Sequence, residues 1–171
     1  LEVRWPSGAT NLYTNLAAYY ALRDNNAEAE SMLRRALDVS GPTSAEQQAA
    51  IFNNLAGLAF AAGRSARAVS YLERALAVLE PSLGPQHPRL AMVLANLGLA
   101  YERDGRAAEA DAAFARALSV AQSSLPEFHP LWAEILSEHA EVLRSRGRKE
   151  EANRLELRAR AIRDRASAED A

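Results

Sequence analysis

The residues of this chain best suited to chemistry are two histidines, each placed directly before a proline. His87 precedes Pro88, and His129 precedes Pro130. Imidazole is a common zinc ligand, so the pair could indicate a metal site. The two histidines hold equivalent positions in successive repeats, which stacked helices would keep about 10 Å apart. Zinc–nitrogen bonds are about 2 Å long. We therefore interpret both as linker residues before a helix-starting proline and predict no metal site.

Other catalytic groups are missing from the sequence. The chain has no cysteine, which excludes disulfides, zinc–thiolate sites and thiol nucleophiles. It contains no H-E-x-x-H, G-x-S-x-G or glycine-rich phosphate loop. The adjacent Glu150 and Glu151 begin a predicted helix, where the helix dipole favours acids. His139 lies on a predicted packing face and is interpreted as a core histidine. We predict that the protein is not an enzyme and needs no cofactor.

Composition narrows the choice of partner. The 171 residues carry a formal net charge of −2, so no overall field attracts nucleic acid or anionic lipid. No apolar run approaches the roughly 18 residues of a membrane helix, so we expect no membrane partner. These features predict a soluble protein and leave its compartment open between cytoplasmic and exported. The wealth of alanine and arginine suggests a bacterial source.

The elements that carry these residues recur with a fixed period. Two segments 42 residues apart share seven residues, and shorter matches extend the pattern to four copies. The shared residues of the two central copies are Leu55, Gly63, Ala68, Ala75, Leu76, His87 and Pro88, then Leu97, Gly105, Ala110, Ala117, Leu118, His129 and Pro130. A period of this size indicates stacked supersecondary units.

Within each copy, the spacing of small and apolar residues predicts two helices. In the third copy, Leu94, Leu97 and Tyr101 share one helical face, and Gly105 supplies the left-handed position that ends a helix. Phe114 lies on the packing face of the second helix. In the first copy, Asp24 and the asparagines after it replace the glycine turn. The chain is therefore predicted to be all-α, with four helix-turn-helix repeats at about 10–48, 49–90, 91–132 and 133–165.

The two ends depart from the pattern. Glu156 and Arg160 stand where earlier copies have apolar residues, which predicts a polar terminal cap. Residues 166–171 are predicted to be a disordered tail. Residues 1–9 resemble the end of a second helix, so they are either the remnant of a preceding repeat or an extended leader. In the first case, an uncovered edge near Leu12 and Tyr19 would favour a homodimer.

The pattern Asn96-Leu97-Gly98-(two)-Tyr101-(three)-Gly105-(four)-Ala110-(three)-Phe114-(two)-Ala117-Leu118 closely resembles the tetratricopeptide repeat (TPR). The longer period, with Gly84-Pro85-Gln86-His87-Pro88 in the linker, resembles the kinesin light chain type. The resemblance covers about residues 10–165. It implies antiparallel helix pairs, A and B, stacked into a right-handed α-solenoid whose A helices line a concave groove.

The resemblance also implies where a ligand would bind. The second face of each A helix would line the groove, and its middle is small and apolar. The candidate peptide-binding residues are Asn53, Phe60, Met92, Leu99, Glu102, Glu134, Glu141 and Arg144. Asn53 could hold a peptide amide through two hydrogen bonds. The acids predict a ligand that is apolar in the middle and basic toward the last repeat. The alternative is that these residues only line a solvated groove or pack on neighbouring helices.

A second set of asparagines recurs one position further along the A helices. Asn15, Asn54 and Asn96 occupy this place in the first three copies. The resemblance implies that such residues make framework hydrogen bonds, so we interpret them as structural.

We therefore predict a non-catalytic scaffold that binds a peptide segment of a partner protein. The alternative is the C-terminal regulatory or oligomerisation segment of a larger bacterial signalling protein. A basic run at residues 144–165 could bind nucleic acid or an acidic protein surface. It carries no aromatic residues for base stacking, so we expect a solvated capping helix and no nucleic acid partner.

Overall fold

A computed structural model describes residues 8–39 and 44–169. The described residues form eight α-helices and no strand, as the sequence predicted. In chain order the helices are α1 (Ala9–Ala21), α2 (Asn26–Asp38), α3 (Ala45–Ala61), α4 (Ser65–Leu83), α5 (Pro88–Arg103), α6 (Ala107–Ser124), α7 (Pro130–Ser145) and α8 (Lys149–Glu169). The odd-numbered helices are the A helices of the four repeats, and the even-numbered ones are the B helices.

The chain forms two compact units, residues 1–82 and 83–171. In the first unit, α1 packs on α2, and α2 packs on α3. The guanidinium of Arg74 on α4 lies 4.3 Å from the ring centroid of Phe52 on α3. In the second unit, α5 pairs with α6 and α7 with α8, while α7 also contacts both α5 and α6.

The turn between the two helices of a repeat uses a left-handed residue, as predicted. Gly105 has φ 79°, which a residue without Cβ adopts freely. Asp24 holds the same place in the first repeat with φ 57°. Asp is among the few other residues that tolerate this conformation, so the turn is kept without glycine.

Polar side chains mark the starts of three A helices. Ser44 Oγ accepts a hydrogen bond from the Gln47 amide at 3.2 Å and is the N-cap of α3. His87 Nδ1 accepts from the Arg89 amide at 3.3 Å. His129 Nδ1 accepts from the Leu131 amide at 3.2 Å. Both histidines are therefore helix caps before a proline in the first helical turn.

Small residues allow the helices of a repeat to approach closely. Ala29, Ala68, Ala110 and Ala152, at equivalent positions of the B helices, have no exposed surface. A Cβ added at Gly98 on α5 would lie 2.8 Å from ring carbons of Phe114 on α6. Real Cβ atoms do not approach a ring so closely, so this contact requires glycine.

The last helix is longer than the sequence predicts. The sequence indicates a disordered tail from residue 166, whereas α8 continues to Glu169. The extension is rich in alanine, the strongest helix former, and Ser167 Oγ donates to the Arg163 carbonyl oxygen at 2.9 Å. At the other end, the first helix begins at Ala9. The predicted repeat remnant or leader at residues 1–9 therefore falls almost wholly outside the described residues.

The predicted polar cap is visible on α8. Glu156 Oε1 lies 3.7 Å from Arg160 Nε and 3.6 Å from Arg163 Nη1. The opposite side of α8 packs on α7 through buried Ala159 and Ile162. Glu156 and Arg160, which replace apolar residues of earlier repeats, thus form charge pairs within one helix.

Candidate functional site

A recess opens in the first unit beside the A helices of the first two repeats. Its cavity volume is about 330 Å³. Eight residues from α1, α2 and α3 line it: Ala17, Ala18, Ala21, Leu33, Asn53, Asn54, Gly57 and Leu58. Ligand cavities start at about 300 Å³, so the recess is large enough for one bulky side chain of a peptide.

Gly57 lines the recess, and no packing contact within the fold explains why this position is glycine. A Cβ built at Gly57 meets no atom within 4 Å. Glycine inside a helix costs roughly 0.5–1 kcal/mol relative to alanine, and at Gly98 a tight packing contact explains that cost. At Gly57 no such contact exists, and the missing side chain instead leaves the recess open.

Two neighbouring asparagines give the recess its polar groups. Asn53, a predicted peptide-binding residue, is half-buried and lines the cavity. Asn54 also lines it and is exposed, and its side chain makes no hydrogen bond within the described residues. The sequence favours a framework role for Asn54, whereas the structure leaves its side-chain amide available to a ligand. Phe60, a further predicted anchor, is half-buried about one helical turn after Gly57.

In the second unit, the corresponding face of α5 is only partly open. Met92 is exposed and Leu99 is half-buried, but Ala95 between them is buried. Leu99 stands where the second repeat has Gly57. A leucine side chain therefore replaces the open space that glycine leaves in the first unit.

The structure engages Glu102 in an ion-pair cluster. Arg146, at the end of α7, donates from Nε to Glu102 Oε2 at 2.8 Å and from Nη1 to Asp111 Oδ1 at 2.9 Å. Its Nη2 also reaches the Ala107 carbonyl oxygen at 3.3 Å. Hydrogen bonding to Glu102 raises the pKa of Arg146. Glu102, which the sequence predicts as a groove acid, joins the last repeat to the third through this ion pair.

His139 belongs to the same cluster. Its ring stacks on Phe114 with centroids 4.7 Å apart, and its Nε2 lies 3.3 Å from Asp111 Oδ1. Burial lowers the pKa of His139, Asp111 opposes that shift, and Arg146 and Arg148 reinforce it. His139 is therefore half-buried, with its ring on Phe114 and its Nε2 beside Asp111, as expected for a packing residue.

The inner acids of the last repeat lie on α7. Glu134 and Glu141 are exposed, as is Arg144. Between the two acids lies half-buried Glu138, which takes the place of the asparagine found in earlier repeats. Burial, together with the charges of Glu134 and Glu141, raises the pKa of Glu138 to about 7. The three glutamates give this face of α7 an excess of negative charge, which favours binding of a cationic side chain.

Sequence reasoning missed the roles of Arg146 and Glu138 and did not single out Gly57. Arg146 was counted only as part of a basic run, because its partner Glu102 lies 44 residues away. Glu138 could have been found by comparing the four copies at the asparagine position. The period aligns Gly57 with Leu99 and Gly98 with Ala56, so the sequence places the two glycines on different faces, but only the structure shows that an added Cβ at Gly57 would meet nothing.

Within the described residues, no three histidine or acidic side chains are grouped so that they could hold a metal ion. In that same part of the chain, no helix combines the length and the apolar character that crossing a lipid bilayer requires.

Comparison with solved structures finds similar folds. BtubC (BKLC) from P. vanneervenii is 26% identical with a TM-score of 0.83, over 97% of this chain and 68% of that one. The kinesin light chain TPR-like repeats of Podosopora anserina are 24% identical with a TM-score of 0.77, over 97% and 80%. The apo form of RapI is 17% identical with a TM-score of 0.81, over 98% and 60%. No curated protein matches the chain.

The helix pairs, their glycine turns and their alanine contacts define an all-α repeat solenoid. Two family models, both described as tetratricopeptide repeat, match residues 47–123 and 10–40. The chain belongs to the tetratricopeptide repeat family, whose repeats are protein-interaction scaffolds.

Proposed function

We propose that this chain is a non-catalytic scaffold that binds a peptide segment of a partner protein through the exposed faces of its A helices. The observation that carries the proposal is the recess beside Gly57. It combines an apolar floor, two asparagine amides and a helical glycine that no internal contact requires. Such a site takes one large apolar side chain of an extended peptide, while an asparagine holds the adjoining backbone amide.

The preformed recess also supplies the energetic basis of binding. Its walls are helical, so binding does not require those residues to become ordered. Burying one large apolar side chain stabilises the complex by about 1.5–3 kcal/mol. The conformational entropy that the flexible peptide loses on binding offsets part of this stabilisation. We therefore expect modest affinity from the recess alone and further contacts from neighbouring residues such as Phe60.

The acids of α7 are proposed to contact a basic residue of a bound peptide. Glu134 and Glu141 are exposed, and burial and these two charges raise the pKa of Glu138 between them. A lysine or arginine placed there would favour ionised Glu138. Glu102 is left out of this proposed surface, since Arg146 bonds its Oε2 and compensates its charge.

Selection from a random peptide library tests the recess. Peptides enriched on the wild type should carry a large apolar residue and should bind Gly57→Leu at least tenfold more weakly, since the leucine fills the recess without its Cβ meeting protein atoms. Ala61→Leu is the matched control, because Ala61 is an exposed residue of the same helix outside the recess lining. Equal binding to Gly57→Leu would refute the recess, and failure to enrich any peptide would refute peptide binding altogether.

The α7 surface has its own test. In the enriched peptides, replacing a basic residue by glutamine should weaken binding to the wild type, but not to a Glu134→Gln/Glu141→Gln variant. The same loss in both proteins would mean that the basic residue contacts another part of the chain.

We also propose that α1 supports a homodimer. Three large apolar side chains of this helix and its C-terminal turn are exposed: Leu12 by 59%, Tyr19 by 48% and Leu22 by 87%. Equilibrium sedimentation of the wild type and of Leu12→Ser/Leu22→Ser tests this. A monomer for both proteins across the micromolar range would refute the dimer.

A further inference from the structure

The basic run of the last repeat is not a uniform patch. Arg146 and Arg148 are held by carboxylates of the third and fourth repeats. Arg160 and Arg163 share Glu156. Arg165 lies over the Phe128 ring, 5.0 Å from its centroid. Most of these cations are thus engaged within the second unit.

A short stripe on α8 remains outside these pairs. Arg154 and Arg158 are exposed, and within the described residues neither donates a side-chain hydrogen bond nor forms an ion pair. Arg154 acts on Glu151 only through its longer-range charge. Leu157, 67% exposed, lies three residues after Arg154 and directly before Arg158, on the side of α8 away from its buried residues. The fold makes no use of this combination of two guanidinium groups and an apolar side chain.

Two contributions to this arrangement are unfavourable in the free protein. Like charges four residues apart destabilise a helix, and here the pair is Arg154 and Arg158. The exposed Leu157 side chain forgoes the stabilisation that burial would supply. A partner carrying negative charges around an apolar group would relieve the charge repulsion and bury the leucine together.

We infer that the stripe formed by Arg154, Leu157 and Arg158 binds an acidic protein segment that presents an apolar side chain between two carboxylates. The charge pattern indicates that the partner is acidic. Arginine pairs with carboxylates through two parallel hydrogen bonds, and its spacing of four residues matches one turn of a partner helix. This surface shares no residue with the recess of the first unit or with the acids of α7.

The same observations disfavour a nucleic acid. Over its whole length α8 carries six basic and five acidic residues and no aromatic ring on which a base could stack. Two arginines would contribute little to phosphate binding, because non-specific affinity grows with the number of neutralised phosphates. The exposed leucine of the stripe also has no role in binding a sugar–phosphate backbone.

Fluorescence anisotropy with a designed probe tests the inference. The probe is a labelled alanine-based helix of about 15 residues, with one leucine flanked by two glutamates four residues apart. Its control has glutamine in place of both glutamates. We expect the acidic probe to bind the wild type at least tenfold more tightly than the control does, with affinity that falls as salt is raised.

Two double variants of equal charge locate the site. Arg154→Gln/Arg158→Gln should weaken binding of the acidic probe at least tenfold. Arg160→Gln/Arg163→Gln removes the same charge from the internally paired side of α8 and should change binding by less than about twofold. Leu157→Ser should weaken binding without changing its salt dependence. Circular dichroism checks that each exposed substitution leaves the helices intact.

Three results would overturn the inference: no binding of the acidic probe, equal binding of both probes, or equal loss in the two double variants. An oligothymidine of about 15 nucleotides serves as the competing probe. Tighter binding of this oligonucleotide than of the acidic peptide would also overturn the inference and assign the stripe to nucleic acid.

Discussion

Arg146 joins Glu102 and Asp111, which lie on the two helices of the preceding repeat. Its Nε is 2.8 Å from Glu102 Oε2, and its Nη1 is 2.9 Å from Asp111 Oδ1. The Arg146 side chain is only 16% exposed and that of Glu102 23%. One guanidinium thereby fixes the last repeat against both helices of the third.

Removing this guanidinium should loosen the last repeat. Arg146→Gln is expected to lower the free energy of unfolding by about 1–2 kcal/mol, since it breaks charge-assisted hydrogen bonds in a largely water-excluded place. Chemical denaturation measures the loss. Arg148→Gln is the control, because the Arg148 side chain is more exposed and should matter less. A larger loss for Arg148→Gln would contradict the assignment of Arg146 as the main tie.

The two helical glycines should respond oppositely to alanine. Gly98→Ala places a methyl group 2.8 Å from Phe114 and should cost about 1–3 kcal/mol of stability. Gly57→Ala meets nothing and should stabilise the protein by about 0.5–1 kcal/mol. Thermal and denaturant melts of both variants test the pair. If Gly98→Ala were neutral, the close contact between α5 and α6 would be wrong.

Glu138 should make the second unit less stable as pH rises. The pKa of its carboxyl is about 7 in the folded protein, above the value of about 4.3 in an unfolded chain. The folded state therefore binds the proton more tightly. The associated stability is fully present below about pH 4.3 and is lost as pH rises through 7. Glu138→Gln should abolish this loss and gain about 1 kcal/mol at pH 8, a figure reduced because the carboxyl is partly exposed.

Denaturation at pH 5 and pH 8 measures this effect. The difference between Glu138→Gln and the wild type should be present at pH 8 and nearly absent at pH 5. Glu134→Gln, at an exposed neighbouring acid, should recover only part of it. A gain of equal size at both pH values would show that Glu138 does not carry a raised pKa.

His139 should give a dependence of opposite sign. Its pKa is lowered in the folded protein, chiefly by burial, so the unfolded chain binds the proton more tightly. Stability is therefore present above about pH 6.5 and falls as pH drops below that value. His139→Leu restores the residue of earlier repeats and should remove this dependence. A variant that loses stability on acidification as steeply as the wild type between pH 7 and 5 would refute it.

Much of the fold is predictable because repetition reveals it. The turn residues, small packing positions and helix-starting prolines recur at fixed spacing, so four weak patterns support one another. Asp24 illustrates the strength of this reasoning, since the sequence predicts a turn at Asp24 and the asparagines after it, and the structure shows Asp24 in the left-handed conformation of the aligned glycines. The position of the helix pairs followed directly.

The candidate site was less predictable, because it depends on contacts between repeats. Glu102 and Arg144 occupy equivalent positions in sequence, yet Arg146 engages Glu102 while Arg144 is exposed. Likewise Gly57 and Leu99 are equivalent, but Gly57 lines an open recess whereas Leu99 places a half-buried side chain at its position. Whether a side chain remains available to a ligand depends on its neighbours in three dimensions. The repeat period of the sequence does not specify those neighbours.

The most direct test of the central claim is an NMR titration of the isotopically labelled protein with the best peptide from the library selection. Glycine amides are convenient reporters, because this chain has one in the proposed recess and others in turns outside the recess lining. We predict saturable shift changes at Gly57 and Asn54, together with intermolecular contacts from an apolar peptide side chain to Ala18 and Ala21. Gly105 and Gly147, in turns of the second unit, should not move. Shifts concentrated at those turns, with Gly57 unchanged at saturation, would contradict the account.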